Sequence, residues 1–550
     1  MKQSFIKGAT IASLGVIITK VLGVLYAIPF NRMIGDDGAA LYGYGYSVYI
    51  MFINISVAGI PFGISKLVSN YSSLDKYKSI DKAYDIAKKL MIAVSVLVFV
   101  IMFGFANYYA EAVLRNVEVA KQVHSVGDIA LGIRLVSFSL LFVPMLAFGR
   151  GFLQGFQDMT TTAKSQITEQ LARVLFLLVG VYACLYLFDL GVNVAVYTAL
   201  FAAFVGAVAG YFIVYKNTKK QRGTIEKKLH LDYHDVDSTK TILRKLILFS
   251  APFILLSMII NLYTQVNTLS IVNVLTGIGY TTKEANSVLA ALTVWGPKLN
   301  RLVFAFTIGF NTALLPSISS DYAKGDMVAV KMKTEKSLQL ILLLVGFLSV
   351  FSSVFSKEIF TFFFATSVWG PTIFKISIFT TLFHSLMYMT SVILQATKHA
   401  YISIATMFIG WLFKLLLNEP MVHLLDRIGF EAAHGFALAT MIGFFVTIVL
   451  NLILIGRFVN VKNRVLGRRF VKLVIIIGIT FGLTATIKYF VPYSPEGFIA
   501  ILIYLGLFGV FSLAIYLYLG FYSKLIQRAL GQDIIIEIRN KIRAKIPFLK

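Results

Sequence analysis

The sequence predicts an all-α integral membrane protein, with fourteen transmembrane helices forming two repeated six-helix lobes and an extra C-terminal helix pair. Three observations predict this. Of the 550 residues, 58% are hydrophobic and 14% are charged, with a mean hydropathy of +0.79, whereas a soluble chain carries about 25% charged residues. Apolar stretches of the roughly 20 residues needed to cross a bilayer recur along the whole length. Basic residues collect on alternate loops, as they do on the cytoplasmic side of multispan proteins.

In chain order the spans fall near 8–30, 39–62, 88–109, 129–149, 166–188, 193–215, 246–272, 286–315, 337–355, 372–396, 400–418, 432–456, 470–490 and 497–522. The first run is too long for the apolar core of a leader and no small-residue cleavage site follows it, so it reads as a span. The second span runs past Pro61 and the eighth carries Pro297 and Pro316, so kinks or early breaks are expected there. With the N-terminus inside, the cytoplasmic segments collect about 37 Lys and Arg against about 7 on the opposite side. Removing one span would invert half of the loops and destroy that bias, so both termini are expected in the cytoplasm of a cell whose plasma membrane holds the chain.

The organisation that follows is an N-lobe at 1–215, a basic cytoplasmic linker at 216–245, a C-lobe at 246–456, an extension at 457–522 and a basic tail at 523–550. Two echoes support the repeat. Leu153-Gln154 lies nineteen residues before Arg173, and Leu394-Gln395 lies nineteen residues before Lys414, a shift of 241. Ser69-Asn70-Tyr71 is matched by Ser320-Asp321-Tyr322. Parallel halves of this kind rock against each other around a site near the midplane. In the tail, Ile535, Ile538, Ile542 and Ile546 share a helical face beside Arg539, Lys541, Arg543 and Lys545. That pattern fits either an interfacial helix on anionic membrane lipids or a solvated tail.

The net charge of +25 is of the kind that basic loops produce and calls for no nucleic-acid partner. The single cysteine, Cys184, falls inside a span, which excludes disulfides and thiolate metal sites. Seven basic residues lie within or at the rims of spans: Lys20, Arg134, Arg173, Lys298, Arg301, Lys375 and Lys414. Glu169 is the one carboxylate among them. Charge at that depth is costly and marks a wet cavity, and a cationic cavity suits an anionic substrate. Lys20 is mid-span, placed for anion binding or for a contact with backbone carbonyls. Lys298 and Arg301 are one turn apart on one face, able to reach the same phosphate. Glu169 and Arg173 have the spacing of an intrahelical ion pair, which competes with a substrate role for Arg173. Lys414 lacks a carboxylate at that spacing and is the better substrate candidate of the two. Arg134 and Lys375 sit near span ends and can snorkel to the interface. His230 and His234 flank Asp232 and Asp235 in a loop that is either a weak metal site or simply solvated, and His384 reads as a core residue. No phosphate loop, nucleophile elbow or carboxylate pair is present, so the sequence supports no catalytic site, cofactor or metal.

One segment carries a resemblance. Gly149-Arg150-Gly151-Phe152-Leu153-Gln154-Gly155-Phe156-Gln157-Asp158-Met159, with Thr162-Ala163, Ser165-Gln166, Glu169-Gln170 and Arg173-Val174, resembles the signature of the SpoVB/YtgP branch of the MurJ-type lipid II flippases. These belong to the multidrug/oligosaccharidyl-lipid/polysaccharide (MOP) exporter superfamily, and the similarity runs along the whole chain. It implies a V-shaped, MATE-like architecture with a central cationic cavity, a polyprenyl-tail groove beside spans 13 and 14, and a Gram-positive source. It also makes the cell-wall synthesis machinery a candidate partner. Lys20 matches a position where Gram-negative relatives place arginine, and Lys298 falls close to another. The chain departs from those relatives at Tyr26-Ala27 and Asn54, where they carry charged residues, and at Thr161, where proline is common.

The function expected is translocation of lipid II, or a similar polyprenyl-pyrophosphate glycolipid, with the headgroup on Lys20, Lys298, Arg301, Arg173 and Lys414. A flippase for another lipid-linked polysaccharide unit shares the same charge logic. A drug or cation antiporter would favour intramembrane acids. An enzyme would need a catalytic base and a carboxylate set, and Asp75, Asp81, Asp85, Asp321 and Asp326 form no obvious one.

Overall fold

The computed structural model describes residues 19, 22–57, 59–115, 122–232, 236–364, 367–459, 463–490 and 497–523. Lys20, His234, Asp235 and the amphipathic face of the tail lie outside them. Among the described residues there is no strand. The helices divide into two compact units, one running to Trp295 and taking in Phe364–Val368, the other covering Gly296–Phe363 and resuming at Trp369.

The first unit contains α1 (Ala27–Val57), α2 (Ile60–Ser73), α3 (Tyr77–Val113), α4 (Val126–Ser137), α5 (Val143–Gly155), α6 (Met159–Tyr182), α7 (Gly191–Glu226), α8 (Thr239–Gly277) and α9 (Thr282–Ala290). The second contains α10 (Gly296–Ala323), α11 (Met327–Val354), α12 (Ser356–Phe363), α13 (Gly370–Ala396), α14 (Ala400–Arg427), α15 (Gly435–Val459), α16 (Asn463–Phe490) and α17 (Phe498–Tyr522).

Ten helices are long and apolar enough to cross a membrane among the described residues, and α16 (Asn463–Phe490) covers the thirteenth expected span. The ten fall on the third to seventh, ninth to twelfth and fourteenth expected spans; the chain is a multi-pass membrane protein. Of the remaining expected spans, most of 8–30 lies outside the described residues. Span 39–62 is divided between α1 and α2, with Pro61 in the first turn of α2, where a missing N–H costs nothing. Span 286–315 runs from α9 through a π-helical turn at Ala291–Trp295 directly into α10. The break expected at Pro316 does not occur, because α10 continues to Ala323.

In the first unit, α2, α3 and α5 share a core of Ile64, Leu67, Val68, Ile80, Tyr84, Phe148 and Phe152, completed by Ile242 and Leu246 from α8. Glycines let the helices approach. A Cβ at Gly151 would lie 2.7 Å from Pro61 Cα, and one at Gly149 would lie 2.2 Å from Val214 Cγ1. Within α1 the backbone kinks at Gly35 (φ +63°), a conformation that glycine adopts without cost. The next residue, Asp36, accepts hydrogen bonds from Ser287, from Ser367 Oγ at 3.0 Å and from the Val368 N–H at 3.3 Å. Those bonds hold the segment between α12 and α13 on the first unit.

In the second unit, α16 is fastened to the turn between α11 and α12. The Lys488 ammonium donates to Val354 O and to Glu358, both at 2.8 Å, and lies 4.9 Å from the Phe355 ring centre.

The two halves also share their turns. Gln157 (φ +65°) and Lys398 (φ +66°) are non-glycine residues in the left-handed region at a shift of 241. In both turns the following N–H returns to a leucine carbonyl: Asp158 to Leu153 at 3.0 Å and His399 to Leu394 at 2.8 Å. The second echo holds with a changed register. Lys76 N–H bonds to Tyr71 O and Asp326 N–H to Asp321 O, a shift of 250, whereas matching Tyr71 to Tyr322 by sequence requires 251.

Candidate functional site

Two equivalent three-helix junctions hold Glu169 and Arg173 in the first unit and Lys414 in the second. In the first unit α5, α6 and α7 meet where a Cβ on Gly210 would approach Glu169 Cβ at 3.0 Å and one on Gly206 would approach Arg173 Cβ at 2.8 Å. The space left by those glycines admits the long side chains of the partner helices. Arg150 of α5 reaches into it, donating through Nη2 to Ser165 Oγ and to Glu169 Oε2, both at 2.7 Å. Ser165 passes its own proton to Gly210 O at 3.2 Å.

The expected pair between Glu169 and Arg173 is therefore corrected: the carboxylate is engaged by Arg150. Spacing along one helix brings two side chains to the same face but leaves open a stronger bidder from a neighbouring helix. Arg173 instead turns to aromatic rings. Its guanidinium carbon lies 5.1 Å from the centre of the Tyr46 ring, and Nη2 donates to Tyr42 Oη at 3.4 Å. Tyr42 stacks on Tyr46 at 5.2 Å, and Tyr46 is tilted against Tyr49 at 5.8 Å. A guanidinium on tyrosine faces keeps its full charge, because the rings contribute a quadrupole and no counter-ion.

In the second unit the same junction, displaced by 241 residues, is neutral. Ser391 stands for Arg150, Thr406 for Ser165, Gly410 for Glu169 and Asn451 for Gly210. The bulk has moved from α5 and α6 to the third helix of the set. Asn451 Nδ2 donates to Thr390 Oγ1 at 3.1 Å and to Ser391 Oγ at 3.2 Å, and its Oδ1 accepts from Thr406 Oγ1 at 2.6 Å. Below it Lys414 is fully enclosed, 0% exposed. Its ammonium donates to Asn418 Oδ1 and, at 3.0 Å, to Phe436 O. The Phe436 bond ties α14 to α15, the Asn418 bond stays within α14, and both present the charge to protein acceptors.

The remaining candidates divide as follows. Lys298 is buried, 8% exposed, in the first turn of α10, while Arg301 one turn later is exposed. Arg134 is half-buried with its guanidinium 5.4 Å from the Phe103 ring centre, and Lys375 is exposed. His384 is stacked between Phe304, 4.3 Å away, and Phe444, 5.2 Å away, a core position as expected. Among the described residues no group of His, Cys, Asp or Glu is arranged to hold a metal. Arg150 is the residue that the charge inventory passed over, although it stands at the head of the segment carrying the resemblance. That segment is chiefly a packing device. Gly149, Gly151 and Gly155 admit neighbouring helices, and Asp158 caps α6 through the Thr161 N–H at 3.0 Å and the Thr161 hydroxyl at 2.6 Å. A proline at 161 would lack the capped N–H.

Residues 5–320 match the polysaccharide biosynthesis protein family. Over 542 residues, 97% of this chain and 98% of the relative, the sequence is 28% identical to the lipid II flippase MurJ of Bacillus subtilis (strain 168). Two solved structures share the architecture. A multidrug resistance MATE family transporter of the MOP superfamily, in an inward-facing conformation, aligns with a TM-score of 0.64 at 14% identity, covering 81% of this chain and 98% of its own. The lipid II flippase MurJ in an inward closed conformation aligns with a TM-score of 0.59 at 15% identity, covering 94% and 99%. Identities of that size speak to the fold. With the family match covering more than half of its length, the chain belongs to the polysaccharide biosynthesis protein family and has the fold of MOP-superfamily transporters.

Proposed function

We propose that this protein is a flippase for a polyprenyl-pyrophosphate-linked glycan, with lipid II the first substrate to test. The observation that carries the reading is the fate of Glu169. The carboxylate that the sequence places within a span is taken by Arg150, which leaves Arg173 on neutral tyrosines. Pyrophosphate is bound through charge-assisted hydrogen bonds, which need cations free of competing carboxylates. Arg173, Lys298 and Arg301 are the groups assigned to the headgroup, together with Lys20. Lys414 leaves the set because its ammonium is enclosed by Asn418 and Phe436. The whole-length likeness to the lipid II flippase of B. subtilis supports lipid II over other glycolipids, and the breadth of the family description keeps another polysaccharide unit as the second reading. The termini belong in the cytoplasm of a Gram-positive cell on this reading, with the tail against anionic lipids and the cell-wall synthesis machinery close by.

The test is depletion of the protein in its host, with lipid II at the outer face measured in intact cells. Wild type, Arg173→Gln, Lys298→Ala and Lys20→Ala are then returned. Loss of outer lipid II with accumulation inside, unrescued by variants that are inserted normally, supports the reading. Unchanged lipid II with loss of another surface glycan assigns the second reading. No change in either defeats both.

A further inference from the structure

A second polar site lies away from the junctions, at the end of the first unit where α3 begins. Lys78, Lys82 and Lys89 line a cavity of about 460 Å³ whose other wall is Ile86, Leu229 and Val236. The volume is within the range of small-ligand sites. Asp81 and Asp85 also face it, but both are committed to Arg222, at 3.0 Å each. Arg222 is itself fixed 4.7 Å from the centre of the Tyr84 ring. Lys82 donates to Asp237 O at 3.0 Å, and the Asp237 carboxylate is bound by Lys245 at 2.7 Å. Asp81 and Asp85 are thus held by Arg222, which Glu226 also approaches at 3.5 Å, and Asp237 is held by Lys245; Asp232 Oδ2 accepts from the Lys78 backbone N–H at 2.7 Å, and the Lys78 and Lys89 side chains are exposed.

We infer that this cavity binds a phosphate-bearing anion, independently of what the chain transports. The lysines supply the charge, and the apolar wall accommodates the carbon skeleton of an ester. Its height along α3 says where such a ligand comes from. The apolar part of the span starts directly after Lys89, so the Lys89 ammonium stands at the membrane rim. Lys78, eleven residues earlier, stands about 16 Å further out at 1.5 Å per residue. A phospholipid headgroup reaches the lower part of this ladder, and a free phosphate ester reaches all of it. Basic pockets at this level take lipid headgroups in other membrane proteins.

The experiment uses the full-length chain in nanodiscs. In phosphatidylcholine discs, binding of inorganic phosphate and of glycerol 3-phosphate is titrated calorimetrically. In a separate arm, retention of phosphatidylglycerol from mixed discs is read by native mass spectrometry. Lys78→Gln/Lys89→Gln is compared with Lys219→Gln/Lys220→Gln, which removes two exposed lysines of α7 outside the cavity. The expected result is at least a roughly tenfold weakening in one arm for the cavity variant and little change for the control. The arm that responds names the source of the phosphate. Absence of binding by the wild type in both arms overturns the inference, as does equal weakening by the two variants, which would mark diffuse attraction to a basic surface.

Discussion

The junction of α5, α6 and α7 and the junction of α13, α14 and α15 occupy the same places in the two halves, yet they handle charge in opposite ways. The first is built around an arginine and a glutamate, with Gly210 making room, and leaves Arg173 facing tyrosines. The second is built around an asparagine and hydroxyls, with Gly410 where the glutamate would be, and encloses Lys414. A repeated scaffold therefore keeps a cation at a given place without keeping its partners. In one copy the cation rests on tyrosines; in the other it donates to acceptors on two adjacent helices.

The sharpest way to break this comparison is Lys414→Ala. It removes the ammonium that donates to Asn418 Oδ1 and, beside the Thr440 hydroxyl, to Phe436 O, and leaves a cavity in the second unit, at a cost of about 2–4 kcal/mol. The thermal midpoint of the purified protein should fall by several degrees; an unchanged midpoint with lost export would return Lys414 to the substrate site. Next is Asn451→Leu, which removes an amide serving three hydroxyls and is expected to cost about 1–3 kcal/mol. Circular dichroism melts against wild type read that loss.

A smaller effect decides the corrected pairing. In double-mutant cycles, Glu169→Gln with Arg150→Gln should show a coupling of about 1–2 kcal/mol, and Glu169→Gln with Arg173→Gln should be additive within about 0.5 kcal/mol. Strong coupling in the second cycle would restore the intrahelical pair. Smallest in stability is Arg173→Gln itself, within about 1 kcal/mol because it removes one cation–π contact and one long hydrogen bond. Its expected loss of export without loss of fold is what separates it from Lys414.

Much of this was legible before the structure. The shift of 241 was visible at Leu153-Gln154 and Leu394-Gln395, and the structure extends it to the left-handed turns at Gln157 and Lys398. The same shift, carried to Arg150, Ser165 and Gly210, would have predicted both junctions. The site was less legible because intrahelical spacing marks charged partners more plainly than neutral ones. Asn418 stands four residues after Lys414, and a neutral oxygen is acceptor enough for a buried ammonium. Arg150 meets Glu169 from a neighbouring helix, nineteen residues away, a pairing that spacing along one helix does not reveal.

The capture of Phe364–Val368 by the first unit bears on how the protein is made. The chain passes between the units at Trp295, at Phe363 and again at Val368, so the first unit is unfinished until residue 368 has left the ribosome. Its core lacks Ile242 and Leu246 when residue 232 emerges, and at about 5–20 residues per second the remaining 136 residues take on the order of ten seconds. For that interval the bilayer and its insertion machinery must hold a half-built bundle whose last piece, a short segment bound through Asp36, arrives from beyond the next three helices.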